Sequence, residues 1–124
     1  MSRSPIVDLV GKQIHHTWDQ NGMSFVSVFC DETTFVWNDL SDPENMVTGT
    51  ETYGKMQLSD EIVMYNWKES PEERNFGITW TFNFDTGIVY GIIVNVFPNS
   101  NLELTAPFEI VNGFDVPEGY ITCD

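Results

Sequence analysis

The sequence predicts an all-β protein, a single antiparallel up-and-down β-barrel of about eight strands. The clearest observation is a strict period of two over 76–84, where large apolar residues alternate with small or polar ones: Phe76, Ile78, Trp80, Phe82 and Phe84. Only a β-strand turns that period into one apolar and one polar face. A turn at 85–87 and a β-branched run at 88–97 complete a hairpin. A hairpin this apolar needs a large apolar surface to pack against. In a chain of 124 residues we expect that surface to be the rest of the same sheet, closed into a barrel.

A short helical turn is predicted before the first strand. Ser4 and Pro5 suit the N-cap and the first helical position, and Gly11 suits the end of the turn. We expect this apolar turn to plug one end of the barrel.

Alternation and turn residues predict the strands that follow. Asn21-Gly22 is the strongest short hairpin signal in the chain. The segment 46–58 is rich in Thr, Tyr and Val and is interrupted at Gly49 or Gly54. The predicted strands are 12–18, 23–30, 34–38, 46–58, 62–68, 76–84, 88–97 and 102–111.

One domain, 1–124, is expected from the length, with the barrel at about 12–111 and a tail at 112–124. The tail contains Pro117 and two glycines. We expect it to wrap the outside of the barrel or to cover an opening.

The charge excludes several classes of partner. The chain has 19 acidic and 5 basic residues, a net charge of −14. Nucleic acids and anionic membrane surfaces both require clustered Lys and Arg, so neither is expected as a partner. The sequence contains no apolar run of membrane-spanning length and no signal-peptide pattern. It does not decide between a monomer and a homodimer.

The two cysteines, Cys30 and Cys123, show no spacing pattern that indicates a disulfide framework. A bridge between them is open, but free thiols in a cytoplasmic protein are the default expectation.

The order of several local strings resembles bacterial phenolic acid decarboxylases, which are related in fold to MoaF-type proteins. The opening LVGKQIHHTWD at 9–19 is similar to the first strand of that family, and QLSDEIVMYNW at 57–67 is similar to a later one. Phe82-Asn83-Phe84 and Gly91-Ile92-Ile93 match two further strings. The resemblance covers roughly 9–98 and implies a lipocalin-like (calycin-like) barrel that holds a small aromatic substrate.

This chain departs from the family at the positions that carry the decarboxylase chemistry. His16 and Trp18 stand where the family has two tyrosines that orient the substrate carboxylate, and Asn38 stands near its arginine. The catalytic glutamate corresponds to Asp60, with Glu61 adjacent. The resemblance therefore implies a retained scaffold with altered chemistry.

Histidine titrates near neutral pH and suits acid–base work, so His16 is a candidate catalytic residue. His15 and His16 are neighbours on a strand and point to opposite faces, so they cannot bind one metal ion together. Asp60 is the second catalytic candidate, because a carboxylate in a barrel mouth would have a raised pKa and could move protons. The expected substrate-binding residues, which combine flat aromatic faces, hydroxyls and an amide, are Trp18, Asn38, Tyr53, Tyr65 and Trp80.

These residues favour a cofactor-free enzyme that binds a small hydrophobic or conjugated molecule and performs lyase, isomerase or cyclase chemistry. A role in secondary metabolism follows only from the family resemblance. Zinc-ligand spacing, a glycine-rich phosphate loop and a Gly-x-Ser-x-Gly elbow are all missing from the sequence, so no metal or other cofactor is expected. Two alternatives stay open, namely a non-catalytic carrier of an apolar ligand and an interaction module without a cavity.

Overall fold

The computed structural model describes residues 8–41, 44, 47–68, 77–97, 100–113 and 116–123. These residues form nine β-strands and no helix. None of the described residues belongs to a helix that could cross a membrane. The strands are β1 (Lys12–Thr17), β2 (Ser24–Phe29), β3 (Thr34–Asp39), β4 (Val47–Thr52), β5 (Gly54–Gln57), β6 (Ile62–Lys68), β7 (Gly77–Asn83), β8 (Ile88–Phe97) and β9 (Ser100–Asn112).

All nine strands belong to one antiparallel sheet with the order β4-β3-β2-β1-β9-β8-β7-β6-β5. The two edge strands are consecutive in the chain, and only Tyr53 separates them. β4 pairs with β3, β5 pairs with β6, and β4 also contacts β6. One chain segment thus joins both edges of the sheet and nearly closes it, which confirms the predicted up-and-down barrel.

The alternation that predicted the long hairpin also identifies the inner wall. Ile78, Trp80 and Phe82 of β7 are buried in the aromatic core, whereas Thr79 and Thr81 lie on the partly exposed outer face. Phe76 lies outside the described residues. The bounds of β6 and β8 are those that the sequence predicted. The predicted strand 46–58 divides into β4 and β5, which accounts for the ninth strand.

The predicted helical turn before β1 is not found at 8–11, so the prediction is wrong for these residues. Residues 4–7 lie outside the described part of the chain. The Lys12 N–H donates to the Leu9 carbonyl at 3.0 Å, and Gly11 has a φ of 81°. A four-residue β-turn with a positive φ at its third residue therefore leads into β1. Leu9 is still fully buried against the core, as a plug would be.

The described part of the tail lies against the outside of the barrel, which is one of the two placements that the sequence predicted. Trp37 and Asp39, the neighbours of Asn38 on β3, point to the other face of the sheet, so Asn38 faces outward. Its side chain hydrogen-bonds the backbone of Ile121 in the tail. A disulfide joins Cys30 to Cys123 with their Cα atoms 5.5 Å apart. The expectation of free thiols is therefore wrong, because cysteines 93 residues apart meet only in the folded chain. The cytoplasmic location had relied on it and stays an unsupported prediction.

Candidate functional site

A buried histidine inside a group of aromatic rings is the most unusual feature of the inner wall. His16 lies on β1 between Ile14 and Trp18, which both belong to the core. Its ring centroid is 4.5 Å from that of Trp18, 5.0 Å from that of Trp80 and 5.5 Å from that of Phe25. We call these four side chains the His16 cluster. His16 therefore points inward beside Trp18, on the opposite face from His15.

The imidazole of His16 is buried, and its two nitrogens are not engaged by the described residues. The residue is 5% exposed, and neither Nδ1 nor Nε2 has a hydrogen-bond partner among the described residues. Burial away from water, together with a smaller effect of the nearby His15, lowers the pKa of His16 to about 3. At neutral pH the ring is therefore uncharged, and it can donate one hydrogen bond and accept another.

His15 points to the opposite face, as expected for adjacent strand residues. Its Nε2 lies 3.1 Å from Oε1 of Gln13 on the outer face of the sheet. The two histidines thus cannot bind one metal ion together. Among the described residues, no group of three His, Cys, Asp or Glu side chains is arranged to hold a metal ion.

A second inward-facing polar group lies beside the His16 cluster. Ser27 of β2 pairs with Ile14 and Trp37, and its neighbour Phe25 pairs with His16, so Ser27 and His16 are diagonal on one face. Ser27 is fully buried, and its hydroxyl has no hydrogen-bond partner among the described residues. Two unpartnered polar groups therefore lie on the same part of the inner wall.

A depression of about 490 Å³ opens at this part of the barrel. Its lining includes Phe25, His16 and Phe108, which stand side by side across β2, β1 and β9. Thr17, Ser24 and Leu40 form part of its rim. His15, Val26, Pro107 and Glu109, whose side chains lie on the outer face, line it as well, so the depression is bounded by residues of both faces of the sheet beside the His16 cluster.

Aromatic side chains fill the described interior away from this depression. Tyr53 and Tyr65 have ring centroids 5.3 Å apart, and both contact Phe29. Burial raises the pKa of Tyr53 to about 12, with smaller contributions from nearby carboxylates such as Asp31, and burial also raises the pKa of Tyr65. The Tyr53 hydroxyl donates to the Asp31 carbonyl at 2.7 Å. This pair packs in the core and is separate from the His16 cluster.

The other predicted site residues lie elsewhere. Asn38 is fully buried on the outer face, and its amide is occupied by Ile121. Asp60 lies in the turn between β5 and β6 and is not among the groups that shift the pKa of His16. The fold therefore brings together His16, Trp18 and Trp80 but not Asn38 or Asp60.

A buried carboxylate that the sequence analysis missed lies on β4. Glu51 is 3% exposed, and its Oε2 accepts a hydrogen bond of 2.8 Å from the indole N–H of Trp37. It shares the inner face of the strand with Val47, Gly49 and Tyr53. That parity was available in the sequence, because Glu51 stands two residues from Tyr53 in an alternating segment.

A larger depression of about 620 Å³ lies where β4 and β5 meet β6, and Asn66 and Lys68 are on its rim. Both of these side chains are exposed, and none of the unpartnered buried groups lines it. Volume alone does not make a binding site, so we place the candidate site at the His16 cluster.

The chain matches no family model and no curated protein. Its fold is similar to that of a protein from Burkholderia vietnamiensis whose crystal structure is described as a "putative beta-lactamase". The two share 16% sequence identity with a TM-score of 0.70, over 89% of this chain and 100% of that one. At this identity the likeness shows a shared small-barrel fold.

Proposed function

We propose that this protein binds a small, planar, hydrophobic molecule that carries one uncharged hydrogen-bonding group, at the His16 cluster. The observation that carries the proposal is the buried imidazole of His16, which has no polar partner among the described residues and lies beside an open depression. A buried polar group without a partner costs about 1–3 kcal/mol, so each such group in a native protein calls for an explanation, such as a catalytic role or a bound partner. A ligand hydroxyl or carbonyl that reached the ring would supply the missing partner.

The surroundings of the site favour a neutral ligand over an acid. The described interior contains Glu51 as a buried carboxylate, whereas Lys55 and Lys68 are exposed. A ligand carboxylate would be removed from water without a cation beside it, which is costly. The flat rings of Trp18 and Trp80 suit an aromatic or conjugated ligand. We also propose that the chain is related to the phenolic acid decarboxylases. The preference for a neutral ligand agrees with that relation, because the residues that hold the substrate carboxylate in those enzymes are replaced here.

Calorimetric titration with three matched probes tests the proposal: a naphthol, naphthalene itself and a naphthoate. We expect the naphthol to bind most tightly, because it combines an aromatic face with a hydroxyl that can pair with His16. His16→Phe keeps a ring in the cluster and removes both nitrogens. It should weaken naphthol binding about tenfold, since one hydrogen bond contributes about 1 kcal/mol, and should leave naphthalene binding unchanged.

The matched control is Tyr90→Phe, which removes a hydrogen-bonding group from an exposed ring of β8 that does not line the depression. It should change the affinity for none of the three probes. The proposal fails if no probe binds, if the naphthoate binds best, or if His16→Phe affects naphthol and naphthalene equally.

A second candidate is a cofactor-free enzyme that moves protons on such a ligand, in lyase or isomerase chemistry. The observation in its favour is Glu51, an inward-facing buried carboxylate positioned by Trp37. Neutral His16, whose pKa is about 3, would orient the ligand rather than act as an acid at pH 7. The predicted partner Asp60 stays the alternative proton carrier.

Exchange of carbon-bound hydrogen in a tetralone, followed by NMR in D₂O, tests this second candidate. Glu51→Gln preserves the shape and the acceptor for Trp37 but cannot carry a proton at neutral pH. Loss of exchange in Glu51→Gln with retention in Asp60→Asn would support Glu51 as the catalytic group, and the reverse would support Asp60. An exchange rate equal to that in buffer without protein would contradict catalysis. The protein would then only bind the ligand, as a carrier does.

A further inference from the structure

The segment 116–123, which we call the strap, is attached to the outside of the barrel by side chains of Asn38 and Cys30, among other contacts. Asn38 Nδ2 donates to the Ile121 carbonyl at 2.9 Å, and the Ile121 N–H donates to Asn38 Oδ1 at 2.9 Å. The disulfide joins Cys123 to Cys30. The strap is not a strand of the sheet, so both attachments depend on side chains of the barrel.

The strap lies at an apolar part of the outer face. Three valines on β2 and β3 point away from the core cluster and are nevertheless 0–3% exposed: Val26, Val28 and Val36. We call them the outer strip. An outward-facing valine on a barrel is buried only if something covers it.

The register of β2 and β3 places both attachments of the strap next to the outer strip. Val26 pairs with Asn38, and Val28 pairs with Val36. Cys30 follows two residues after Val28 on the same side of the chain. The two attachment points therefore lie at either end of the outer strip, and the strap passes over it between Ile121 and Cys123.

We propose that the strap is a redox-released cover, and that the outer strip beneath it is a peptide-docking surface whose occupant is the strap itself. A dithiol reductant opens the S–S bond by thiol–disulfide exchange. It supplies two electrons and two protons, so that Cys30 and Cys123 become thiols and the dithiol becomes a disulfide. The strap is then held through Asn38 and can open locally, which exposes the three valines.

The position of the strap makes a local opening the expected result. The aromatic core lies on the other face of the sheet, and no strap residue belongs to the core cluster of the described residues. Strands β6, β7 and β8 pair with one another on a part of the sheet that does not adjoin β2 or β3. Release of the strap leaves their hydrogen bonds and their packing in place.

Hydrogen exchange of the full chain, read by mass spectrometry, tests the release. Treatment with dithiothreitol should speed exchange in 116–123 about tenfold or more, while β6–β8 stay protected at labelling times that fully exchange 116–123. The variant Cys123→Ser should reproduce this pattern without reductant. Unchanged exchange in 116–123 would overturn the proposal, and so would exchange of β6–β8 at the same rate as 116–123, which would make the bridge a fastening of the whole fold.

A synthetic peptide of 116–123 with serine in place of the cysteine tests the docking surface. It should bind the full-length Cys123→Ser protein and should not bind the oxidised wild-type protein, whose strip is covered. Adding Asn38→Ala to Cys123→Ser should weaken peptide binding about tenfold, whereas the exposed control Asn66→Ala should not. Equal binding to the oxidised protein, or no effect of Asn38→Ala, would show that the peptide does not use this surface.

Discussion

At the scale of a single residue, the inward face of β1 holds a titratable ring where water does not reach it. Burial lowers the pKa of His16 from 6.5 to about 3. Between those values the unfolded chain binds a proton that the folded chain does not. The free energy of unfolding is therefore unaffected by this proton above about pH 6.5, and it decreases as the pH falls from 6.5 toward 3.

We predict that His16→Phe flattens this part of the stability profile. Urea unfolding of the wild-type protein and the variant at pH 7 and pH 4 should give a difference in pH dependence on the order of 3 kcal/mol, since each pH unit below the unfolded-state pKa of His16 corresponds to about 1.4 kcal/mol. The carboxylates titrate in both proteins, so the comparison isolates the histidine. Tyr90→Phe on the exposed face of β8 is the control and should keep the slope of the wild-type protein. Parallel profiles for wild type and His16→Phe would contradict the burial of a neutral imidazole.

Gly91 shows how closely the His16 cluster is packed. A Cβ atom there would lie 2.7 Å from Cη2 of Trp18, whose ring borders His16. Gly91→Ala should therefore destabilise the protein by about 1–3 kcal/mol and weaken ligand binding at the cluster. Gly77→Ala is the matched control in another strand, because its Cβ would meet a single methyl group of Val94 at 3.0 Å. Equal urea midpoints for the two variants would show that Trp18 can move aside.

Sequence reasoning at this scale succeeded where a side chain's direction follows from its own strand. The alternation of β1 places His16 beside Trp18, and the structure has it there. It did not find the attachment of Asn38 to Ile121, which is 83 residues away, or the bridge from Cys30. Such pairs depend on where the tail crosses the barrel, and no local pattern carries that information.

At the scale of the elements, the strands were predictable because each presents one face to the core. The errors lie where one segment serves two partners. The predicted strand 46–58 divides at Tyr53, because β4 pairs with β3 and β5 pairs with β6. The Tyr53 N–H donates to the Thr33 carbonyl at 2.9 Å, which marks the end of the pairing with β3. Neither partner can be read from the segment itself.

The inner face of β4 supports a prediction about Glu51. Its carboxylate accepts the indole N–H of Trp37 in a buried position. Glu51→Ala should leave that donor without this acceptor and cost about 1–3 kcal/mol, whereas Glu51→Gln keeps an acceptor and should cost less. Urea unfolding monitored by tryptophan fluorescence measures both. A Gln variant as unstable as the Ala variant would mean that the negative charge of Glu51, rather than its hydrogen bond, stabilises β4.

At the scale of the whole molecule, period-two patterning and short connections were enough to predict a closed sheet. They could not predict how full its interior would be. The described rings pack with centroid distances of 4.5–6.3 Å, so the ligand space proposed above lies at the depression beside His16 and not along the whole barrel axis. Filling depends on how side chains from opposite strands meet, which is decided only when the barrel closes.

The net charge of −14 is also a property of the whole molecule, and it opposes the compact state by mutual repulsion of the carboxylates. Salt shortens the range of that repulsion, from about 30 Å at 0.01 M to about 10 Å at 0.1 M. We therefore predict that the free energy of unfolding in urea at pH 7 rises on the order of 1 kcal/mol between these NaCl concentrations. Replacing the exposed Glu61 and Glu103 by Gln removes two negative charges and should reduce the salt effect. Stability that stays level or falls as salt is added would show that attractive ion pairs outweigh the repulsion.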